Sequence, residues 1–206
     1  MARKAHAVPG LAVPSVPRRA DAERNRDRIV IAAREALSDP SSDVSMAEVA
    51  RRAGVGMATL YRNFASRRKL LEALYAAEVN ELCDAAAVAS GPPGAALAGW
   101  LARFAVFHRS KHPIAAELLR HTDTSDPLFG SSRDRVLAAG RPLLLAAQAA
   151  GEARAGLGID QALDLVLAAS TVHGTPAYVE AILQAALAGI MSPARAHQVH
   201  AAAPDA

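Results

Sequence analysis

Few folds are compatible with two short helices joined by a single glycine turn, which is the pattern of residues 45–63. Ser45 is a good N-cap, and Glu48 three residues later completes the sequence pattern of a capping box. Gly54 stands where a left-handed residue would end this first short helix. A second short helix must begin almost at once, at Met57. Two such helices behind a longer one form a helix-turn-helix.

Longer helices are predicted on both sides of this pair. The preceding helix starts at Asp21, and its apolar face at helical spacing comprises Ile29, Ala33, Ala36 and Leu37. Ser66 then caps a helix that runs from Arg67 to about Ala89. Its apolar seam comprises Leu70, Leu71, Leu74, Val79 and Leu82. The residues of the second short helix that should point to the core are Leu60 and Phe64. In the first short helix, Val49 and Ala50 should face inward. All four helices therefore have an apolar side on which to pack.

The composition favours helices over the whole chain. Alanine and leucine supply 50 and 22 of the 206 residues, whereas Val, Ile and Thr together supply 26. Because Ala and Leu are the best helix formers and β-branched residues favour strands, an all-β fold is excluded. A hydrophobic content of 51% suffices for a real core in one or two domains.

A helix-breaking segment of glycine and proline over residues 91–94 separates these helices from the rest of the chain. Five more helical stretches follow, over residues 95–111, 114–121, 127–151, 160–173 and 177–190. We therefore expect an all-α chain of about nine helices. Its predicted parts are a flexible arm (1–17), a helix-turn-helix domain (18–65) and a second helical domain (66–206).

Charge is unevenly distributed along the chain. Residues 1–80 carry 14 Lys and Arg against 9 Asp and Glu, whereas residues 81–206 carry 9 against 11. A basic first part suggests a polyanion as its partner.

A single cysteine, Cys83, can form neither an internal disulfide nor a cysteine-based zinc site. No apolar run approaches the ~20 residues of a membrane span, so we expect a cytoplasmic protein with no membrane partner.

Residues 45–71 resemble the tetracycline-repressor (TetR) family of bacterial transcription regulators. The resemblance lies in the string from Ser45 to Val55, in Thr59-Leu-Tyr-Arg-Asn-Phe64, and in Ser66-Arg-Arg-Lys-Leu-Leu71. It implies an N-terminal DNA-binding domain followed by a helical domain for ligand binding and dimerisation. The partners that it implies are double-stranded DNA, a second copy of the chain and a small organic effector.

The resemblance also implies which residues touch DNA. The second helix of a helix-turn-helix enters the major groove with its first residues at base edges, and its flanks reach phosphates. The candidate DNA-binding residues are Ser45, Gly56, Met57, Ala58, Thr59, Tyr61, Arg62, Asn63 and Arg67. Polar groups are common in the family where this chain has Gly56 and Met57, and histidine is common where it has Asn63. We therefore expect few direct hydrogen bonds to bases, and we expect Arg62 to make some of them.

Aromatic residues at helical spacing mark a candidate ligand site in the second domain. Trp100, Phe104 and Phe107 fall at i, i+4 and i+7, which is typical of core packing and also of an apolar cavity. The candidate ligand-binding residues are Trp100, Phe104, Phe107, His108, Arg120, Phe129 and His173. We expect an organic, largely apolar effector.

A metal site and an enzyme are the alternatives. His108 and His112 would share a helix face, and with His121 or His173 they could bind a metal, but Pro113 should end the helix there. The chain has no P-loop, GxGxxG or nucleophile signature, so we expect no catalysis and no cofactor.

The favoured hypothesis is a dimeric repressor that a small apolar molecule releases from a palindromic operator. The residues predicted for its dimer surface are Leu163, Leu167, Ser170, Val179, Leu183, Ala186 and Ile190. The competing hypotheses are a metal-responsive regulator of the same fold, and a helical ligand-binding protein or enzyme without DNA function.

Overall fold

The chain is helical through most of the part that the computed structural model describes, which comprises residues 16–38, 45–119 and 127–192. Eight helices lie in these ranges: α1 (Val16–Ser38), α2 (Met46–Ala53), α3 (Met57–Asn63), α4 (Arg67–Ala87), α5 (Pro93–Leu119), α6 (Pro127–Ala149), α7 (Ile159–Ser170) and α8 (Pro176–Ile190). The all-α prediction is confirmed. In the part of the chain that the structure describes, no helix meets the length and hydropathy that a transmembrane segment requires.

The chain divides into two compact units, one ending at Leu70 and the other beginning at Leu71, so the division falls within α4. In the first unit, α1 packs against α2 and α3. The core side chains of this unit are Ile29, Ala32, Ala33, Ala36, Val49, Ala50, Ala53, Leu60, Phe64 and Leu70. The helical spacing of the apolar residues thus predicted the buried faces of α1, α2 and α3 correctly, except that Leu37 is only half-buried.

The turn between α2 and α3 forms as its sequence pattern predicts. The Ser45 hydroxyl accepts a hydrogen bond from the Glu48 N–H at 3.2 Å and caps α2. Gly54 ends α2 in the left-handed conformation, with φ +63°. Its N–H donates to carbonyls of the last turn of α2, which is the usual way to satisfy a helix end.

Helix α5 is the centre of the second unit and packs against α6, α7 and α8. Trp100 of α5 is buried, and its indole Nε1 donates a hydrogen bond to the Leu82 carbonyl of α4 at 3.0 Å. Its ring lies directly against Gly140 of α6, where a Cβ atom would fall 2.3 Å from Cη2 of the indole. Only glycine at position 140 permits this close approach of the ring to the α6 backbone.

Two predicted helix boundaries are wrong. The stretches 95–111 and 114–121 are one helix, α5, which continues through Pro113 to Leu119. A proline inside a helix costs about 3 kcal/mol. Ile114 and Leu118 beyond it are each 3% exposed, and burying each side chain stabilises by about 2 kcal/mol, enough to offset that cost. Near the N-terminus, α1 begins at Val16 rather than at Asp21. Residues 1–15 of the predicted arm are not among the described residues.

The predicted dimer surface is also wrong for most of its residues. Five of the seven side chains, Leu163, Ser170, Leu183, Ala186 and Ile190, are buried within a single chain. They face inward because α7 packs against α5 and α8 and thereby uses its most apolar side for the core. The side chains that α7 and α8 expose instead include Leu165, Ala168, Tyr178, Ala181, Ala185 and Ala188.

Candidate functional site

Helix α3 has one exposed side and one buried side. Leu60 is fully buried and Phe64, which ends the helix, is 2% exposed. The side chains that α3 presents to solvent are Met57, Ala58, Tyr61 and Arg62. Met57 and Tyr61, at 39% and 48% exposure, are large apolar or aromatic groups that reach solvent. Large side chains of this kind on an exposed side are available to contact a partner.

Hydrogen bonds inside α3 hold two of the predicted polar contacts in place. The Arg62 guanidinium donates to the Thr59 hydroxyl at 2.9 Å. The Asn63 side-chain amide donates to the Thr59 carbonyl at 2.8 Å. Because a guanidinium has five donors and an amide two, each side chain keeps donors for a ligand. Thr59 itself is half-buried and serves as the anchor for both.

Two arginines of α1 lie beside the turn and the end of α3, although neither was predicted as a site residue. Arg26 donates to the Asn63 carbonyl at 3.4 Å, and its guanidinium carbon lies 4.5 Å from the centre of the Phe64 ring. Arg28 donates to the Gly54 carbonyl at 3.4 Å. Both side chains are exposed, so they add positive charge beside the turn and beside the end of α3. These contacts join residues that are far apart in sequence. The spacing of apolar residues along one helix cannot predict such contacts.

Helix α2 carries a charged cluster on its surface. Glu48 accepts hydrogen bonds from Arg51 at 2.7 and 2.8 Å and from Arg52 at 2.6 Å. These bonds lower the pKa of Glu48 to about 2, and the same pairing raises the pKa of Arg51. The Glu48 carboxylate accepts from these two arginines. In the described part of the chain, the half of the capping box that forms is therefore the bond from the Glu48 N–H to the Ser45 hydroxyl.

The start of α4 follows the predicted pattern. The Ser66 hydroxyl accepts a hydrogen bond from the Lys69 N–H at 3.2 Å and caps the helix. Arg67 is half-buried rather than fully solvated. Its role in DNA binding stays a prediction.

Three of the predicted ligand residues belong to one aromatic cluster in the second unit. Phe104 and Phe107 stack with ring centres 6.2 Å apart, and Tyr75 of α4 lies 6.3 Å from Phe107 and 5.5 Å from Phe129. Tyr75 was missed because one tyrosine in the middle of a helical seam carries no signal of its own. Burial raises the pKa of its hydroxyl.

A groove of about 390 Å³ runs along this cluster between α4 and α5. The residues that line this α4–α5 groove are Glu78, Glu81, Leu82, Ala85, Gly99, Ala102, Arg103, Val106 and Phe107. Phe107 is the predicted ligand residue that it contains. Trp100 contributes to the core instead, but it hydrogen-bonds the carbonyl of Leu82, a residue of the groove wall.

The predicted histidines lie in a different place. His108 and His173 line a second cavity, of about 380 Å³, between α5 and the turn that joins α7 to α8. Arg120, His121 and the side chain of His112 lie outside the described residues. Within the described ranges, no group of three or more His, Cys, Asp or Glu side chains is placed to hold a metal ion.

Comparison with known proteins agrees with this architecture. The family described as bacterial regulatory proteins of the tetR family matches residues 29–74. The C-terminal domain of SbtR-like transcriptional regulators matches residues 92–192. No curated protein matches the chain significantly.

Solved structures extend the match to nearly the full length. A TetR transcriptional regulator from Streptomyces coelicolor is 34% identical with a TM-score of 0.70, over 82% of this chain and 99% of that one. A TetR regulator from Mycobacterium vanbaalenii is 28% identical with a TM-score of 0.69, over 85% and 100%. RolR in complex with the ligand resorcinol shares the fold at 19% identity and a TM-score of 0.52, over 83% and 89%. The chain therefore belongs to the TetR family of helix-turn-helix transcription regulators.

Proposed function

We propose that the protein is a ligand-responsive repressor that binds a palindromic operator as a homodimer. The observation that carries this proposal is the exposed side of α3, where Met57 and Tyr61 stand open to solvent on a helix whose other side is buried. In a helix-turn-helix, that side is the one that enters the major groove. The role of the chain is then regulation in the cytoplasm, where its DNA lies, rather than catalysis.

Within this interface, different residues set affinity and sequence preference. The Tyr61 hydroxyl and Arg67 bind phosphates, which hold the protein on any duplex. Met57 offers only apolar contact, so its natural target is the methyl group of a thymine. Arg62 reads bases with the donors that its bond to Thr59 leaves over. With so few polar groups at the groove floor, DNA shape contributes to specificity.

The exposed side of α7 and α8 is the proposed dimer surface. It presents small and apolar side chains, and Leu165 and Tyr178 are 42% and 57% exposed. The alanines beside them, Ala168, Ala181, Ala185 and Ala188, allow the helices of two chains to approach closely. A two-fold dimer requires a two-fold site, so the operator is palindromic.

The α4–α5 groove is the proposed effector site. Its volume lies within the range of small-molecule sites. Its apolar lining residues are Leu82, Ala85, Ala102, Val106 and Phe107, and its charged ones are Glu78, Glu81 and Arg103. The apolar walls suit an uncharged, largely apolar molecule, to which the charged residues can offer polar anchors. RolR, whose fold is similar, binds resorcinol, so a fold of this kind can hold a small aromatic compound. An effector that binds more tightly to the conformer with low DNA affinity weakens operator binding by that difference in affinity.

A panel of small uncharged aromatic compounds, resorcinol included, tests the proposal. Trp100 is the single tryptophan and hydrogen-bonds a residue of the groove wall, so a bound compound should change its fluorescence. The compounds that do so should also release labelled operator DNA. Gly99→Leu should abolish both effects, because a side chain at position 99 enters open space in the groove, whereas Gly130→Leu on α6 serves as the control. A fluorescence change without release of DNA would contradict the proposed coupling.

A further inference from the structure

We propose that the cavity beside the turn between α7 and α8 binds the oxyanion group of a small organic acid. The residues that line this turn cavity are His108, Arg109, Ser170, Thr171, Val172, His173 and Gly174. Its volume of about 380 Å³ is large enough for a small molecule. This cavity and the α4–α5 groove share no lining residue, so the two are separate sites. The protein then has an anion site in addition to the proposed apolar effector site.

The charge of the lining favours an anion. The ionisable side chains among its described residues are His108, Arg109 and His173, all of the basic type. The planar guanidinium of an arginine matches a carboxylate or phosphate group through two parallel hydrogen bonds. A zinc site needs at least three protein ligands, and no such group is found in the described part of the chain. An oxyanion is therefore the ligand that this lining fits best.

The turn is held in shape by its own hydrogen bonds. Ser170 donates its hydroxyl proton to the Val166 carbonyl at 2.7 Å, and Thr171 donates its own to the Ala168 carbonyl at 2.8 Å. Both hydroxyl protons are thus committed to α7. The Nδ1 atom of His173 lies 2.9 Å from the Thr171 carbonyl, which can only accept, so Nδ1 carries the proton and the ring is fixed. A ring held in advance loses less freedom when a ligand binds.

Backbone donors are available in the same turn. In the ranges that the structure describes, the N–H groups of Val172, His173 and Gly174 donate to no backbone carbonyl. Gly174 also lies against the ring of Tyr178, where a Cβ atom would fall 2.6 Å from Cδ1, so the ring limits how the turn can move. Backbone N–H groups in sequence are good donors to an oxyanion. The guanidinium of Arg109 and this row of N–H groups form the proposed recognition elements.

Calorimetric titration of the purified full-length protein tests the proposal without any DNA. The probes are benzoate, phenyl phosphate and benzyl alcohol, which share a ring and differ in the group attached to it. We expect one anion to bind per chain. Whichever of benzoate and phenyl phosphate binds with the higher affinity shows whether the site prefers a carboxylate or a phosphate. Benzyl alcohol, an uncharged aromatic of the kind proposed for the α4–α5 groove, should not displace the bound anion. Because the readout is direct binding, its failure would leave the proposed DNA function untouched.

Variants assign the binding to this cavity. Arg109→Gln should weaken the bound anion about tenfold or more, the expected loss for charge-assisted hydrogen bonds. His173→Gln should weaken it less, and Arg141→Gln, at an exposed position on α6, should leave it unchanged. Displacement of the bound anion by benzyl alcohol would overturn the proposal, as would anion binding indifferent to both cavity variants. So would the absence of saturable anion binding up to about 10 mM, or tight zinc binding that His173→Gln removes.

Discussion

The polar residues of α3 are not equivalent, because two of them already hydrogen-bond within the helix. Arg62 and Asn63 each direct a donor to Thr59, whereas Tyr61 is 48% exposed and its hydroxyl makes no hydrogen bond to a described residue. Tyr61 is thus the side chain best prepared to contribute a new hydrogen bond. Met57, exposed at the start of the helix, can contribute only apolar contact.

This difference between Tyr61 and Met57 predicts that substituting the first changes affinity and substituting the second changes sequence preference. Tyr61→Phe removes one hydroxyl from a phosphate, a loss of about 1 kcal/mol or roughly fivefold in affinity on every sequence. Met57→Ala should instead relax the preference at one or two base pairs. Binding-site selection with each variant measures both. If Tyr61→Phe changed the preferred sequence, or Met57→Ala weakened all sites equally, the two roles would be reversed.

The charged cluster on α2 predicts a pH dependence of stability. In the folded chain the pKa of Glu48 is lowered from 4.5 to about 2 by Arg51 and Arg52. A lowered folded pKa means that the stabilisation is complete above about pH 4.5 and is lost as the pH falls towards 2. At neutral pH, Glu48→Gln should therefore unfold at lower urea concentration than the wild type.

That difference should shrink as the pH is lowered through this range, and also in high salt, because the pairs are at the surface. Urea unfolding of the two proteins at a series of pH values measures it. A difference that stayed constant down to pH 2 would show that the ion pairs do not stabilise α2.

At the scale of helices, local sequence patterns predicted most of what the structure contains. The caps at Ser45 and Ser66, the left-handed Gly54 and the buried faces of the first four helices all follow from short-range spacing. Pro113 was misread because the rule that proline ends a helix omits the burial that continues beyond it. The dimer surface was misread because an apolar stripe does not reveal whether it faces its own core or a partner.

The candidate site could be predicted only in part for the same reason. The exposed side of α3 follows from a motif that is local in sequence. The cluster of Tyr75 with Phe107 and Phe129, and the contact of Arg26 with Phe64, join residues from different helices. Such pairs depend on how helices pack, which a single sequence does not display.

Two glycines of α6 provide a matched test of the packing around Trp100. At Gly140, a Cβ atom would lie 2.3 Å from the indole, whereas at Gly130 nothing lies within 4 Å. Gly140→Ala should therefore destabilise the protein by about 1–3 kcal/mol through overpacking. Gly130→Ala should be neutral or stabilising by up to about 1 kcal/mol, because alanine is the better helix former.

Thermal unfolding followed by Trp100 fluorescence measures both variants. Gly140→Ala should also shift the fluorescence of the folded state, since the indole must move. Equal melting temperatures for the two variants would contradict the close packing of Trp100 on α6.

For the whole molecule, the exposed side of α7 and α8 predicts how the dimer can be broken. Ala185→Glu places a charge in the proposed interface and should convert the dimer to a monomer with much weaker operator binding. Ala95→Glu, at an exposed position near the start of α5, is the control and should stay dimeric. Sedimentation velocity measures the two states. A dimer that survives Ala185→Glu would place the interface elsewhere.

Selection of binding sites from random duplex DNA by the full-length protein tests whether the chain binds DNA as a two-fold dimer. A two-fold dimer with one α3 per half-site predicts an enriched sequence with two inverted half-sites. Affinity for that site should fall steeply with salt, because Arg and Lys contacts release counterions, and Arg67→Ala should reduce the slope by about one unit. An enriched site without inverted symmetry, or an affinity indifferent to salt, would contradict the account of this chain as a dimeric, DNA-binding repressor.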